Sequence, residues 1–195
     1  MSTTTTSLDI AAWLIWLANE EGKDMSVLPL QKMVTLAQSL FGYTTHTKLY
    51  NENIYAFEYG PVTQGVLTCY GGSKEPIVRP RTEVKALPDE QLGAIASIWD
   101  LCSPLKPSQL VDVTHDVGPW KPYRNPNNNF TVIPWNEFVA AWPEYERAAQ
   151  SYNSVSNAHV DRTSSNIEIP ESMLGDFDQQ IFLAQQNAYS QAPRR

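Results

Sequence analysis

The sequence predicts a mainly α fold: a compact multi-helix domain with a small β-hairpin and a C-terminal appendage. Three observations lead there. Apolar residues recur at helical spacing in several windows, Gly and Pro punctuate the ends of those windows, and only one short region has β-prone runs facing each other across a polar turn. With 195 residues, 42% of them hydrophobic, and six tryptophans, the chain can bury a sizeable core.

The first helix is expected from Leu8, with Ile10, Trp13, Leu14 and Leu17 on one face, Ser7 or Asp9 as its cap and Gly22 as its stop. The second starts at the N-cap Ser26, tolerates Pro29 in its first turn, carries Leu30, Met33, Val34, Ala37, Leu40 and Phe41 as a stripe, and ends at Gly42. Residues 47–50 and 54–57 flank Asn51-Glu52-Asn53 and read as the hairpin. Gly60-Pro61 then stops the second strand and opens a short helix over 62–70. Residues 74–86, with two prolines and a local cluster of basic side chains, read as a connecting loop.

Asp89 and Glu90 suit a helix N-terminus, and Leu92, Ile95, Ala96 and Trp99 give its buried stripe before Ser103-Pro104 breaks it. Leu110, Val113, Thr114 and Val117 form the next helical face, from Pro107-Ser108 onward. Residues 125–129 (NPNNN) are a loop by composition. Trp135, Phe138, Val139 and Trp142 suggest one more helix before Pro143. After residue 149 the composition turns polar and rich in Ser and Asn. This divides the chain into a domain over 8–149 and, over 150–195, a polar linker with a C-terminal amphipathic helix or tail. There Leu174, Phe177 and Ile181 share a helical face that either docks back on the domain or docks on a partner.

Net charge is −7 and the pI near 4.9, which disfavours phosphate backbones and anionic membranes and suits a basic protein partner. The opening MSTTTTSLD has no positive n-region, and the apolar run at 10–18 is too short to span a bilayer, so a cytoplasmic protein without membrane attachment is expected. Cys69 and Cys102 form no CxxC and read as reduced core thiols.

Chemical motifs are sparse. The three histidines, His46, His115 and His159, are scattered and lie far from the cysteines, so no metal site or other cofactor is expected. Gly71-Gly72-Ser73 lacks the lysine of a phosphate loop. The stretch LVDVTHDVGPWKPYR (residues 110–124) concentrates a histidine, an aspartate, Gly118-Pro119 and Trp120. Adjacent helical residues point about 100° apart, which argues against a His115–Asp116 dyad. His115 at a helix end can donate to free carbonyls or meet the negative end of the dipole, with Trp120 folding back over it and its indole N–H seeking an acceptor. That reading is architectural.

Taken in order, LQKMVTLAQ (30–38), AFEYGPV (56–62) and LVDVTHDVGPW (110–120) resemble the Panacea domain, an α-rich domain of antitoxins in bacterial and phage toxin–antitoxin pairs. Leu30, Gln31, Lys32, Ala37 and Gln38 match the first motif. Ala56, Tyr59, Gly60, Pro61 and Val62 match the second, with Phe57 where tryptophan is usual. Leu110, Thr114, His115, Pro119 and Trp120 match the third. The resemblance spans about 8–142. It implies a non-enzymatic antitoxin that neutralises a co-encoded protein toxin by direct binding. Gln31, Lys32, Gln38, Tyr59, Gly60, Pro61, Thr114, His115, Pro119 and Trp120 would then be signature residues that hold the fold or touch the partner. The 74–85 loop, the NPNNN loop and the tail depart from the shared pattern and are the places expected to choose the toxin. The alternatives are a DNA-binding autoregulator of the operon, against which the net charge and the lack of a basic recognition helix stand, or another non-catalytic interaction module.

Overall fold

The computed structural model describes residues 4–73 and 75–159. Within them lie α1 (Ser7–Glu20), α2 (Val27–Thr45), β1 (Ile54–Phe57), β2 (Gly60–Thr63), α3 (Gln64–Tyr70), α4 (Asp89–Cys102), α5 (Pro107–His115), α6 (Trp120–Tyr123), β3 (Val132–Ile133), α7 (Trp135–Ala140) and α8 (Trp142–His159). The fold is mostly helical, with one antiparallel sheet in the order β2-β1-β3. Among the described residues, no helix is long and apolar enough to cross a membrane. The face formed by Leu174, Phe177 and Ile181 lies outside the described residues.

α2 is the axis of the molecule, packing against α1, α3, α4, α5, α7, α8 and β2. Its predicted stripe is buried, but so are Gln31, Lys32, Thr35, Gln38 and Ser39, all at 0% exposure. A helix enclosed on every side must find partners for such groups. Ser39 Oγ donates to Phe138 O at 2.9 Å, and Gly42 lets α7 come close: a Cβ there would meet Val139 Cγ2 at 2.6 Å. Gly42 therefore serves helix packing and does not end α2. The helix runs on to Thr45 and closes at His46, whose φ of 58° is left-handed.

α1 begins one residue earlier than its spacing suggested. Thr6 is the cap, and Asp9 completes a capping box by accepting from Thr6 N at 2.9 Å. The hairpin is β1 with β2, not residues 47–50 with β1. The backbone of Leu49 and Tyr50 is taken by the Gln38 side chain, and Gly60-Pro61 forms part of β2 itself. Proline fits there because β2 is an edge strand, where a missing N–H removes no ladder bond. α3 accordingly starts at Gln64. β3 is too short to leave a sequence pattern.

Pro143 lies in the first turn of α8, where proline is tolerated, so it opens a helix where a stop was expected. α8 runs on through 151–159, into the stretch whose composition reads as a linker. Tyr152 OH donates to Asp112 Oδ2 (3.1 Å) and Asn153 Nδ2 to Leu101 O (2.9 Å), so these two side chains fasten it to α5 and α4. The loop after α3 is bolted down as well: Trp13 Nε1 donates to Lys85 O (2.8 Å), Asn19 Nδ2 to Val78 O (3.0 Å), and Lys85 pairs with Asp9 (3.0 Å).

Candidate functional site

The signature residues converge on two sides of α2. Gln31 and Gln38, two turns apart, each use their amide in both directions. Gln31 Nε2 donates to Thr63 O (3.0 Å) while its Oε1 accepts from Thr63 N (3.1 Å), completing the outer edge of β2 as a neighbouring strand would. Gln38 Nε2 donates to Tyr50 O (2.9 Å), and its Oε1 accepts from Leu49 N (2.8 Å). Lys32 Nζ donates to Pro61 O at 3.3 Å.

The β1–β2 turn closes over Lys32. Gly60 has φ +99°, and a Cβ there would lie 2.6 Å from Lys32 Nζ, 2.9 Å from Thr114 Oγ1 and 3.1 Å from His115 Cδ2. Glycine is required both by conformation and by the close approach. Tyr59, half-buried at the turn, packs on the core. Thr114 Oγ1 donates back to Leu110 O and Val111 O, each at 3.1 Å, which keeps its hydroxyl inside its own helix.

Beyond α5, Gly118 (φ +78°) turns the chain against Tyr145, and Pro119 leads into α6. Trp120 then stacks on His115, centroids 3.8 Å apart and planes 13° apart, while its Nε1 donates to Phe57 O at 2.7 Å. The tryptophan thus ties the end of α5 to the end of β1. His115 hydrogen-bonds the Glu58 backbone, and its Nε2 is buried with no hydrogen-bond partner.

Electrostatics disfavour the charged form of His115. Burial chiefly, then the nearby charges of Lys32 and Lys121, outweigh Asp116 and the Glu58 backbone and push its pKa down to about 4. The imidazole is neutral at pH 7. Burial also brings the Lys32 amine down to about 7. Lys32 is fully buried beneath the Gly60 turn, whereas His115 is half-buried.

The two thiols differ in burial. Burial raises the Cys102 thiol to about 12 and that of Cys69 above its usual range, against the opposing pull of Arg81. Among the described residues no group of three or more His, Cys, Asp or Glu converges to hold a metal. Among the described residues, clefts that open elsewhere include two that no signature residue lines. One, of about 710 Å³, is bordered by Glu52, Tyr55, Gln64 and Cys69. The other, of about 440 Å³, is bordered by Met25, Met33, Trp99 and Leu105.

One residue of this region carried no sequence signal. Glu52 Oε1 accepts from Ser7 N (2.9 Å), and its Oε2 from Ser7 Oγ (2.8 Å) and Gly65 N (3.0 Å), so one carboxylate holds the first turns of α1 and α3. A lone glutamate in a polar turn gives no warning of that.

No protein-family model matches the chain, and no curated protein and no solved structure is similar to it. The functional reading therefore stands on the motifs and on their arrangement in space.

Proposed function

We propose that this chain is an antitoxin that neutralises a co-encoded toxin by binding it. The observation that supports the reading is the convergence of the motifs. The glutamines and lysine of 30–38, the Tyr59-Gly60-Pro61 turn and the Thr114–His115–Trp120 lock are separated in sequence, yet they interlock through α2 and the β1–β2 turn. Residues that resemble a family signature in sequence behave as one architectural unit, as a shared chassis would.

The chemistry of the signature residues fits a binding role: among the described residues, the His115 imidazole is neutral and the Lys32 amine is enclosed. With Gln31, Lys32, Gln38, Thr114 and Trp120 buried, toxin choice falls to exposed segments. Residues 125–128 are exposed and held by their own Asn turns, with Asn127 N donating to Asn125 Oδ1 (3.0 Å). Phe130, edge-on to Tyr55 and Phe57 at 5.5 Å each, anchors that loop to the sheet. The net charge of −7 suits encounter with a basic toxin.

The test is growth of bacteria expressing the neighbouring reading frame, with and without this chain. Arrest by the neighbour, relief by this chain and co-purification of the two are expected. A harmless neighbour, or toxicity that this chain cannot relieve, overturns the reading.

A further inference from the structure

The 440 Å³ cleft is an apolar groove between the start of α2, the end of α4 and the start of α5. Met25, Met33, Trp99 and Leu105 form its floor, and each still borders the open space although little of it is exposed. Charge of both signs stands beside it: Asp24 borders the groove, and Lys23 is paired with Glu21 at 2.7 Å. Lys23 lies on its rim with Nζ 5.2 Å from the Trp99 ring centre, and Lys106 is exposed next to Leu105.

The described chain ends close by. Tyr145 meets Gly118 just past the end of α5, and Tyr152 meets Asp112 in its middle, so α8 runs antiparallel to α5. Asn153 lies against Leu101 at the end of α4. From there to His159 the helix advances about 9 Å further, toward the start of α5, whose Leu105 and Pro107 form one wall of the groove. Residues 160–195 follow. They place Leu174, Phe177 and Ile181 at one helical spacing, flanked by Glu171, Asp176 and Asp178. The fourteen residues at 160–173 reach up to about 50 Å when extended, so the groove is within range.

We propose that the segment bearing Leu174, Phe177 and Ile181 occupies this groove in its own chain, seating Phe177 on the methionines with its flanking acidic residues on the side of Lys106. A tether this short holds the segment at a high effective concentration, in the millimolar range for short linkers, so a modest contact suffices to fill the groove. Methionine thioethers adapt to an aromatic ring and attract it. The proposal does not depend on the antitoxin reading.

The full chain with p-benzoylphenylalanine in place of Phe177, irradiated in dilute solution and mapped by mass spectrometry, tests it. Adducts within one chain on Met25, Met33 or their groove neighbours are expected, and they should be lost when Leu174→Asp and Ile181→Asp are added. A second measurement compares backbone amide exchange of the wild-type chain with that of Leu174→Asp/Phe177→Asp/Ile181→Asp. Residues 23–26 and 103–107 are expected to exchange faster in the variant. Adducts on other surfaces, adducts only between two copies, no adducts at all, or unchanged exchange at the groove would each overturn the proposal, and none of these outcomes bears on whether the chain neutralises a toxin.

Discussion

Lys32 illustrates what a cationic side chain undergoes in a helix enclosed on every side. Its amine is at 0% exposure, faces the Pro61 carbonyl, Gly60, Thr114 and the His115 ring, and is driven to a pKa of about 7 by burial. In the unfolded chain the same amine titrates near 10.5. Between those values the unfolded state binds more protons, so stability rises with pH; below about 7 both states are protonated and the full cost remains. Urea unfolding should therefore show stability rising by about 2 kcal/mol from pH 7 to pH 9 relative to Lys32→Met. Parallel profiles for the two proteins would mean that Lys32 keeps its charge when folded. His115 acts in a lower window: its pKa, lowered from 6.5 to about 4, withdraws stability as pH falls from 6.5 through 4. Trp120 can be tested in the same way. Trp120→Phe keeps most of the apolar body but removes the indole hydrogen bond to the Phe57 carbonyl, at a cost of about 0.5–1.5 kcal/mol. Trp120→Ala also leaves a cavity and should cost about 3–5 kcal/mol. An unchanged midpoint for the Phe variant would show that water replaces the indole.

Between elements, the decisive contacts are made by polar side chains that bond backbone. Glu52 holds the first turns of α1 and α3 together. Glu52→Gln removes the charge at both helix N-termini and one acceptor oxygen, and should cost about 1.5–3 kcal/mol in urea. Amide exchange at Ser7 and Gly65 should quicken beyond the global change, and unaltered exchange at both would disprove the double role. The helices were legible in the sequence because their evidence is local: the periodicity of Ile10, Trp13, Leu14 and Leu17 needs no partner to be seen. The sheet was misread because its evidence is distant. Gly60-Pro61 reads locally as a stop, and becomes an edge strand only because Gln31 and Lys32 complete its outer side. α8 likewise outruns its apolar pattern because α4 and α5 supply bonds to Tyr152 and Asn153. In the site, the His115–Trp120 lock was legible within a few residues, but the meeting of Lys32, Gly60 and His115 was not, since nothing local links them.

At the scale of the whole molecule, the central place of α2 has a thermodynamic consequence. A helix that packs against both α4 and the sheet couples them, so the described domain should open as one unit. Cys102 reports on this. It sits at 0% exposure at the end of α4, and burial raises its thiol to about 12, so it is inert to thiol reagents until the core opens. Cys69, half-buried on α3, should be modified in the native protein. Labelling of Cys102 at graded urea concentrations, under conditions where refolding outpaces modification, gives the free energy of the opening that exposes it. This value should equal the one from tryptophan fluorescence. A clearly smaller value at Cys102 would mean that α4 opens away from α2 by itself, and the polar seam of Gln31, Lys32 and Gln38 would then unite only the sheet side of the fold.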